Sequence, residues 1–266
     1  MREPIACLGA GRMGRGIAIV FAYAGHRVGL VDFKPRDAAA FEKLSGEALG
    51  EVRNVLTTLA DFGLFDPAAI DTLMTRVSVV PEKDAQAALS SAAVVFEAVP
   101  EVLDLKRDAL ARASKRAGPK PIIASTTSTI LVDDLSGAVD HPARFLNVHW
   151  LNPAFLVPLV ELSPGRHTDP AITARLKALL ESAGKVPVVC AARPGYIVPR
   201  IQALAMNEAA RMVEEGVASA EDIDRAIKYG FGIRFATLGM LEFIDWGGGG
   251  AAQAARRSRR DGERSR

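Results

Sequence analysis

One glycine pattern constrains this chain more than any other feature. Gly9, Gly11 and Gly14 stand in the run Gly9-Ala10-Gly11-Arg12-Met13-Gly14, directly after the apolar stretch Ile5 to Leu8. Beyond it, Ile17, Ala18, Phe21 and Ala22 recur at helical spacing. The local reading is strand, tight turn, helix. A second apolar run, Val28 to Val31, closes on Asp32 and completes a β-α-β unit of the length a right-handed parallel crossover needs.

Glycine at these positions lets the backbone turn sharply, lets it approach a pyrophosphate and lets the helix pack close to the strand. The first helical turn adds unpaired N–H groups and the positive end of the helix dipole. Asp32, at the end of the second strand, can accept hydrogen bonds from a ribose 2′-hydroxyl and repels a 2′-phosphate. The expected cofactor is therefore NAD rather than NADP, bound by Gly9, Gly11, Met13, Gly14 and Asp32, with Lys34 and Arg36 weakening that preference.

Residues 36 to 74 read as helical, interrupted at Asp66-Pro67 where a new helix can be capped. Strand candidates follow at Val77 to Val80, Ala93 to Val99, Pro121 to Ser125, Phe145 to His149, Leu159 to Leu162 and Val186 to Cys190. The alternation predicts an α/β fold: a Rossmann-type doubly wound, mostly parallel sheet, followed by a smaller all-α domain. The expected division is 1–192 for the nucleotide-binding domain, 193–246 for a helical domain serving dimerisation and substrate, and 247–266 for a disordered tail. That tail carries six arginines against Asp261 and Glu263, so the basic balance of the chain resides there.

The 266 residues are 49% hydrophobic with a net charge of +2, which gives no sign of a nucleic-acid binder. Cys7 and Cys190 fall in apolar runs and read as small buried hydrophobes. There is no apolar leader and no run long enough to span a bilayer, so a cytoplasmic protein without membrane contact is expected. His26, His141, His149 and His167 lie in no ligand-spaced cluster, and no metal is expected.

Polar residues gather at the carboxyl ends of the strands, where open α/β sheets bind ligands. Ser125-Thr126-Thr127-Ser128 follows one strand, His149 closes another with Asn152 just beyond, and Glu161 closes LVPLVE. An imidazole can take the proton of a hydroxyl as hydride leaves its carbon, a carboxylate beside it can orient the ring, and a serine hydroxyl can hold the substrate oxygen. Taken singly, Ser128 also suits a helix cap, His149 a core histidine and Glu161 a solvated strand end. Their joint placement favours chemistry.

Across residues 3 to about 246 the chain resembles the L-3-hydroxyacyl-CoA dehydrogenases. The segments GAGRMGRGIA, EAVPE, ASTTS, NVHWLNP, LVELSP and PGYIVPR occur in that family's order and roughly its spacing. The resemblance implies a homodimeric NAD-dependent enzyme of fatty acid metabolism that acts on a short-chain 3-hydroxyacyl-CoA. It assigns His149 as general base, Glu161 as its carboxylate partner, Ser128 and Asn152 to substrate, and Glu101 and Lys106 to the cofactor. By sequence alone, Glu101 and Lys106 equally suit a surface pair at a helix start.

Two departures stand out. Pro199 occupies a position where the family pattern has asparagine, which implies a lost side-chain donor and reduced activity. The helical domain also reads as cut short, which leaves apolar faces less covered and the dimer weakened. Residues Lys228 to Ala236, with Gly239 to Glu242, are similar to the branch containing L-gulonate 3-dehydrogenase, lambda-crystallin and carnitine dehydrogenase. That branch implies a free hydroxy acid substrate, with Arg234 available for its carboxylate. A catalytically silent NAD-binding protein is a further alternative.

Overall fold

The computed structural model describes residues 2–246; the expected disordered tail, 247–266, lies outside the described residues. Strand β1 (Ile5–Leu8) leads through the glycine turn into helix α1 (Arg12–Tyr23), and β2 (Val28–Asp32) returns parallel to β1. Helix α2 (Ala38–Asp61) starts where the Asp37 side chain accepts the Ala40 N–H at 2.7 Å. After it, Asp66 accepts from the Ala68 N–H at 2.9 Å and caps a short turn that runs into α3 (Ile70–Met74). The helical stretch and its break at Asp66-Pro67 thus follow the sequence signals.

The sheet continues through β3 (Val77–Pro81), α4 (Ala85–Ser91), β4 (Val94–Glu97), α5 (Leu103–Ala117), β5 (Ile122–Ser125) and α6 (Val132–Ser136). Then come β6 (Phe145–Trp150), β7 (Leu159–Pro164), α7 (Pro170–Ser182) and β8 (Val186–Val189). The strand order is β3-β2-β1-β4-β5-β6-β7-β8. Strands β1 to β6 are parallel, β7 runs antiparallel to β6, and β8 runs parallel to β7. The chain therefore reverses its winding between β1 and β4, which places the ligand crevice of a doubly wound sheet beside the glycine turn. Strand β4 ends at Glu97 rather than at Val99, because the Val99 N–H turns back to the Glu97 carboxylate at 2.9 Å.

Alternation along each strand separates two packed layers. Cys7, Phe96, Ala124, Val148, Trp150 and Leu162 face one way, into the main core with α1, α2 and α7. There Phe21 packs against Phe96 and Trp150, with ring centroids 5.6 and 6.3 Å away. Ala6, Leu8, Val31 and Val95 face the other way, onto α4 and α5. Cys7 is buried as expected. Cys190 is only half-buried, because it lies just past the end of β8, the edge strand.

By contact, the first compact unit runs to Arg200 and a second begins at Ile201, inside helix α8 (Val198–Glu214). The segment after Ala192 stays with the first unit because Tyr196 is buried in it and the Ile197 and Val198 N–H groups bond to Glu161. In the second unit, α9 (Ala220–Ala226) begins where the Ser219 hydroxyl accepts the Asp222 N–H at 3.1 Å. A π-helical turn over Ile227–Gly232, then α10 (Ile233–Phe235) and α11 (Met240–Trp246), complete the described chain.

Candidate active site

The turn between β1 and α1 shows why glycine stands where it does. A Cβ on Gly14 would lie 2.1 Å from the Gly9 carbonyl oxygen, so the helix can leave the strand at this angle only without one. Gly9 has φ of +100° and passes the Ala98 carbonyl, which a Cβ would meet at 3.2 Å. Gly11 differs: nothing lies within 4 Å of its Cβ position, and no side chain caps the helix that follows. The open space and the free N–H groups of the first turn fit a pyrophosphate. Met13, in that turn, is half-buried and packs against the main core.

Asp32 is buried at the end of β2, beside a cleft of about 880 Å³ lined by Lys34, Arg36, Phe41, Pro81 and Lys83. Its Oδ2 lies 2.5 Å from Arg36 Nε, and its Oδ1 accepts the Lys34 N–H at 3.3 Å. The cleft suits the adenosine end of a dinucleotide, with Asp32 at its rim.

On the face of β4 to β7 opposite the main core, the strand ends carry polar rather than apolar residues. Glu97 is registered on Ser125, Ser125 on Asn147, Asn147 on Ser163, and His149 on Glu161. All six are buried. Neighbouring residues in a row of this kind face each other, and the distances follow: Ser125 Oγ donates to Glu97 Oε2 at 2.5 Å, and His149 Nδ1 lies 2.7 Å from Glu161 Oε2. The other Glu161 oxygen accepts the Ile197 and Val198 N–H groups, both at 2.9 Å, at the start of α8. Burial pushes the Glu161 carboxyl up, but the bond with His149 and these two N–H groups outweigh it and hold it below the ordinary carboxylate range. His149 Nε2 makes no hydrogen bond among the described residues.

Glu101 organises the loop after β5. Its Oε1 accepts the N–H groups of Ser128 and Thr129 at 3.0 Å each, the Thr129 hydroxyl at 2.9 Å and the Thr127 hydroxyl. Ser128 itself is exposed at the carboxyl end of β5, as is Asn152 beyond β6, before the cis peptide to Pro153. Lys106 is not part of a surface pair. It is 1% exposed, and its ammonium reaches Glu97 at 2.9 Å, the Val99 carbonyl at 3.2 Å and Glu101 at 3.3 Å. With three donors and three acceptors, it is fully engaged by the protein.

Sequence reasoning passed over Glu97, Asn147 and Tyr196. The first two carried a signal, since each is a polar residue in an otherwise apolar strand and shares a face with the residues identified. Tyr196 lies within PGYIVPR but has no strand or apolar periodicity to mark it. Its ring lies parallel to that of His149, with centroids 4.9 Å apart and planes at 8°. Its hydroxyl donates to the Thr127 carbonyl at 2.8 Å and accepts from Asn147 Nδ2 at 3.1 Å. Pro199 is the second residue of α8, where a helix needs no N–H, so the proline is accommodated without loss of a backbone bond.

A doubly wound sheet with a glycine turn at its switch point, and a histidine backed by a carboxylate at the neighbouring strand ends, defines a nicotinamide-dependent oxidoreductase. Residues 4–193 match the model of the 3-hydroxyacyl-CoA dehydrogenase NAD binding domain, and residues 195–265 match that of the 3-hydroxyacyl-CoA dehydrogenase C-terminal domain. The chain belongs to the 3-hydroxyacyl-CoA dehydrogenase family and carries its NAD-binding domain. It is 35% identical to a lambda-crystallin homolog from Bos taurus, over 90% of this chain and 72% of that protein. It is also 35% identical to an L-carnitine dehydrogenase from Streptomyces coelicolor, over 92% of this chain and 74% of that one. Among solved structures it is similar to (S)-3-hydroxybutyryl-CoA dehydrogenase from Ralstonia eutropha, with a TM-score of 0.78 and 31% identity, covering 87% of this chain and 78% of the other.

Proposed function

We propose that the chain oxidises the 3-hydroxyl of a short-chain 3-hydroxyacyl-CoA, with His149 as general base. The observation that carries this is the His149–Glu161 pair: Nδ1 is bound to a buried carboxylate while Nε2 has no partner among the described residues. An imidazole held that way presents Nε2 as the acceptor for a hydroxyl proton. Glu161 fixes the tautomer and stabilises the imidazolium that results, and its own lowered proton affinity keeps it ionised for that task. Ser128, exposed on a loop fixed by Glu101, supplies a hydroxyl to the substrate oxygen, and Asn152 offers an amide nearby in sequence. The chemistry that NAD supplies when bound is acceptance of the hydride from the carbon that bore the hydroxyl. Gly9, Gly11 and Gly14 receive the pyrophosphate, Asp32 the adenosine ribose, and Lys106 acts on the site by anchoring Glu101.

The test is NADH oxidation by the purified protein with acetoacetyl-CoA. Turnover that is lost in His149→Ala supports the reading; intact NADH binding with no turnover of this substrate overturns it.

A second reading, a free hydroxy acid as substrate, is favoured by the likeness to L-carnitine dehydrogenase and lambda-crystallin homologs. Arg234 is exposed, with its guanidinium 5.5 Å from the Phe243 ring centroid, and on that reading it is the cation available for a carboxylate. Arg234→Ala then abolishes activity on the hydroxy acid, whereas activity on an acyl-CoA ester depends little on Arg234. A homodimer is supported by the apolar side chains exposed on the second unit, among them Leu204, Met206, Tyr229 and Leu241. Sedimentation as a monomer alone would count against it.

A further inference from the structure

We propose that Tyr196 is a positioning residue that fixes the imidazole of His149 relative to the Ser128 loop, an inference that rests on the reading of His149 as the base. The hydrogen bond from Nδ1 to Glu161 tethers the imidazole at one edge and leaves the ring free to swing about that bond. A flat surface against its face removes the remaining freedom, and the Tyr196 ring, parallel within 8° at a centroid distance of 4.9 Å, is that surface. When the imidazole takes up a proton, the same ring face also favours the cation.

The hydroxyl does the second half of the work. It donates to the carbonyl of Thr127, the residue before Ser128, and accepts from Asn147, two residues before His149 on the same strand face. One side chain therefore joins the base, its strand and the substrate loop. Burial raises the phenol well above its ordinary value, so the hydroxyl stays a donor at any working pH.

The backbone supports the same role. Tyr196 has φ of +46°, a left-handed conformation that a bulky residue rarely adopts, and it follows Gly195 at +77°. Such a conformation is unfavourable for a bulky side chain and persists only where the surroundings over-determine it. Here the surroundings are the site itself: the next two N–H groups, of Ile197 and Val198, hold the Glu161 carboxylate. Residues 196 to 198 thus grip both members of the His149–Glu161 pair. Ile197, Val198 and Pro199 have no side-chain donor, so Tyr196 is the polar side chain this segment brings to the site.

Two variants, Tyr196→Phe and Tyr196→Leu, test the proposal. The C–H signals of the His149 imidazole, assigned by comparison with His149→Gln, are expected to be displaced upfield by the tyrosine ring current. That displacement should survive in Tyr196→Phe and vanish in Tyr196→Leu. With acetoacetyl-CoA and NADH, Tyr196→Leu should lower kcat about 100-fold with KM changed less than about threefold, and Tyr196→Phe should fall between it and the native enzyme. Native kcat in Tyr196→Leu, a loss confined to KM, or no ring-current displacement in the native protein overturns the proposal. Should Tyr196→Leu fail to fold, Tyr196→Phe decides: undiminished kcat removes the role of the hydroxyl. The spectroscopic arm needs no turnover, so it stands apart from the assignment of His149 as base, which fails separately if His149→Ala remains active.

Discussion

Nδ1 of His149 lies 2.7 Å from Oε2 of Glu161, and the two residues are registered opposite each other across the antiparallel β6–β7 pair. This relationship exists because β7 reverses direction. In the parallel part of the sheet each strand end faces the next, whereas the reversal brings the start of β7 back beside the end of β6. Glu161 is thereby buried behind the histidine, and its second oxygen is taken up by the first N–H groups of α8.

Removing the imidazole should abolish proton transfer and leave the fold in place. His149→Ala is expected to lower kcat about 100- to 10,000-fold while NADH binding, followed by nucleotide fluorescence, stays within about twofold. Loss of NADH binding in parallel would mean that the residue is structural.

Glu161 should also make stability depend on acid. Its carboxyl is held below the ordinary value, so its contribution is complete above the unfolded-state pKa of about 4.3 and is lost as pH falls through the lower folded value. Melting temperatures measured from pH 6 down to pH 3 should therefore fall less steeply in Glu161→Gln than in the native protein. Parallel curves would show that the carboxylate adds nothing on folding.

The glycines separate folding from binding. Gly14→Ala puts a Cβ 2.1 Å from the Gly9 carbonyl oxygen and should destabilise the protein by about 1–3 kcal/mol in urea titration. Gly11→Ala meets nothing within 4 Å and should change stability by about 1 kcal/mol at most, yet weaken NADH about tenfold or more by occupying the open space at the turn. Native NADH affinity in Gly11→Ala would place the pyrophosphate elsewhere.

Lys106 is 1% exposed and Glu97 fully buried, so each depends on the other. Lys106→Met strands a carboxylate and is expected to cost about 3–5 kcal/mol, part of which should return in Lys106→Met combined with Glu97→Gln. Additive losses in the double variant would refute the coupling.

Pro199 is the second residue of α8, a place where the helix start accommodates asparagine equally. Pro199→Asn should raise kcat/KM if a side-chain donor is what the proline removed. An unchanged or lower value would show that the rest of the segment already suffices.

The sequence by itself determined the βαβ beginning, the strand candidates, the doubly wound sheet and the polar residues at the strand ends. These are local properties: a glycine forced by a turn, a period of two in apolar strands, a side chain that caps the next helix. Tertiary structure alone decided that Lys106 is interior, although its helix position reads as surface, because Glu97 lies buried on the neighbouring strand to receive it. Tyr196 is the sharper case. Its ring reaches His149 and its hydroxyl reaches Thr127, residues distant in sequence, through a left-handed backbone turn that no pattern of hydrophobicity announces. Periodicity records which face of an element is covered; which groups meet on that face depends on strand order and direction, fixed only when the whole sheet closes its core.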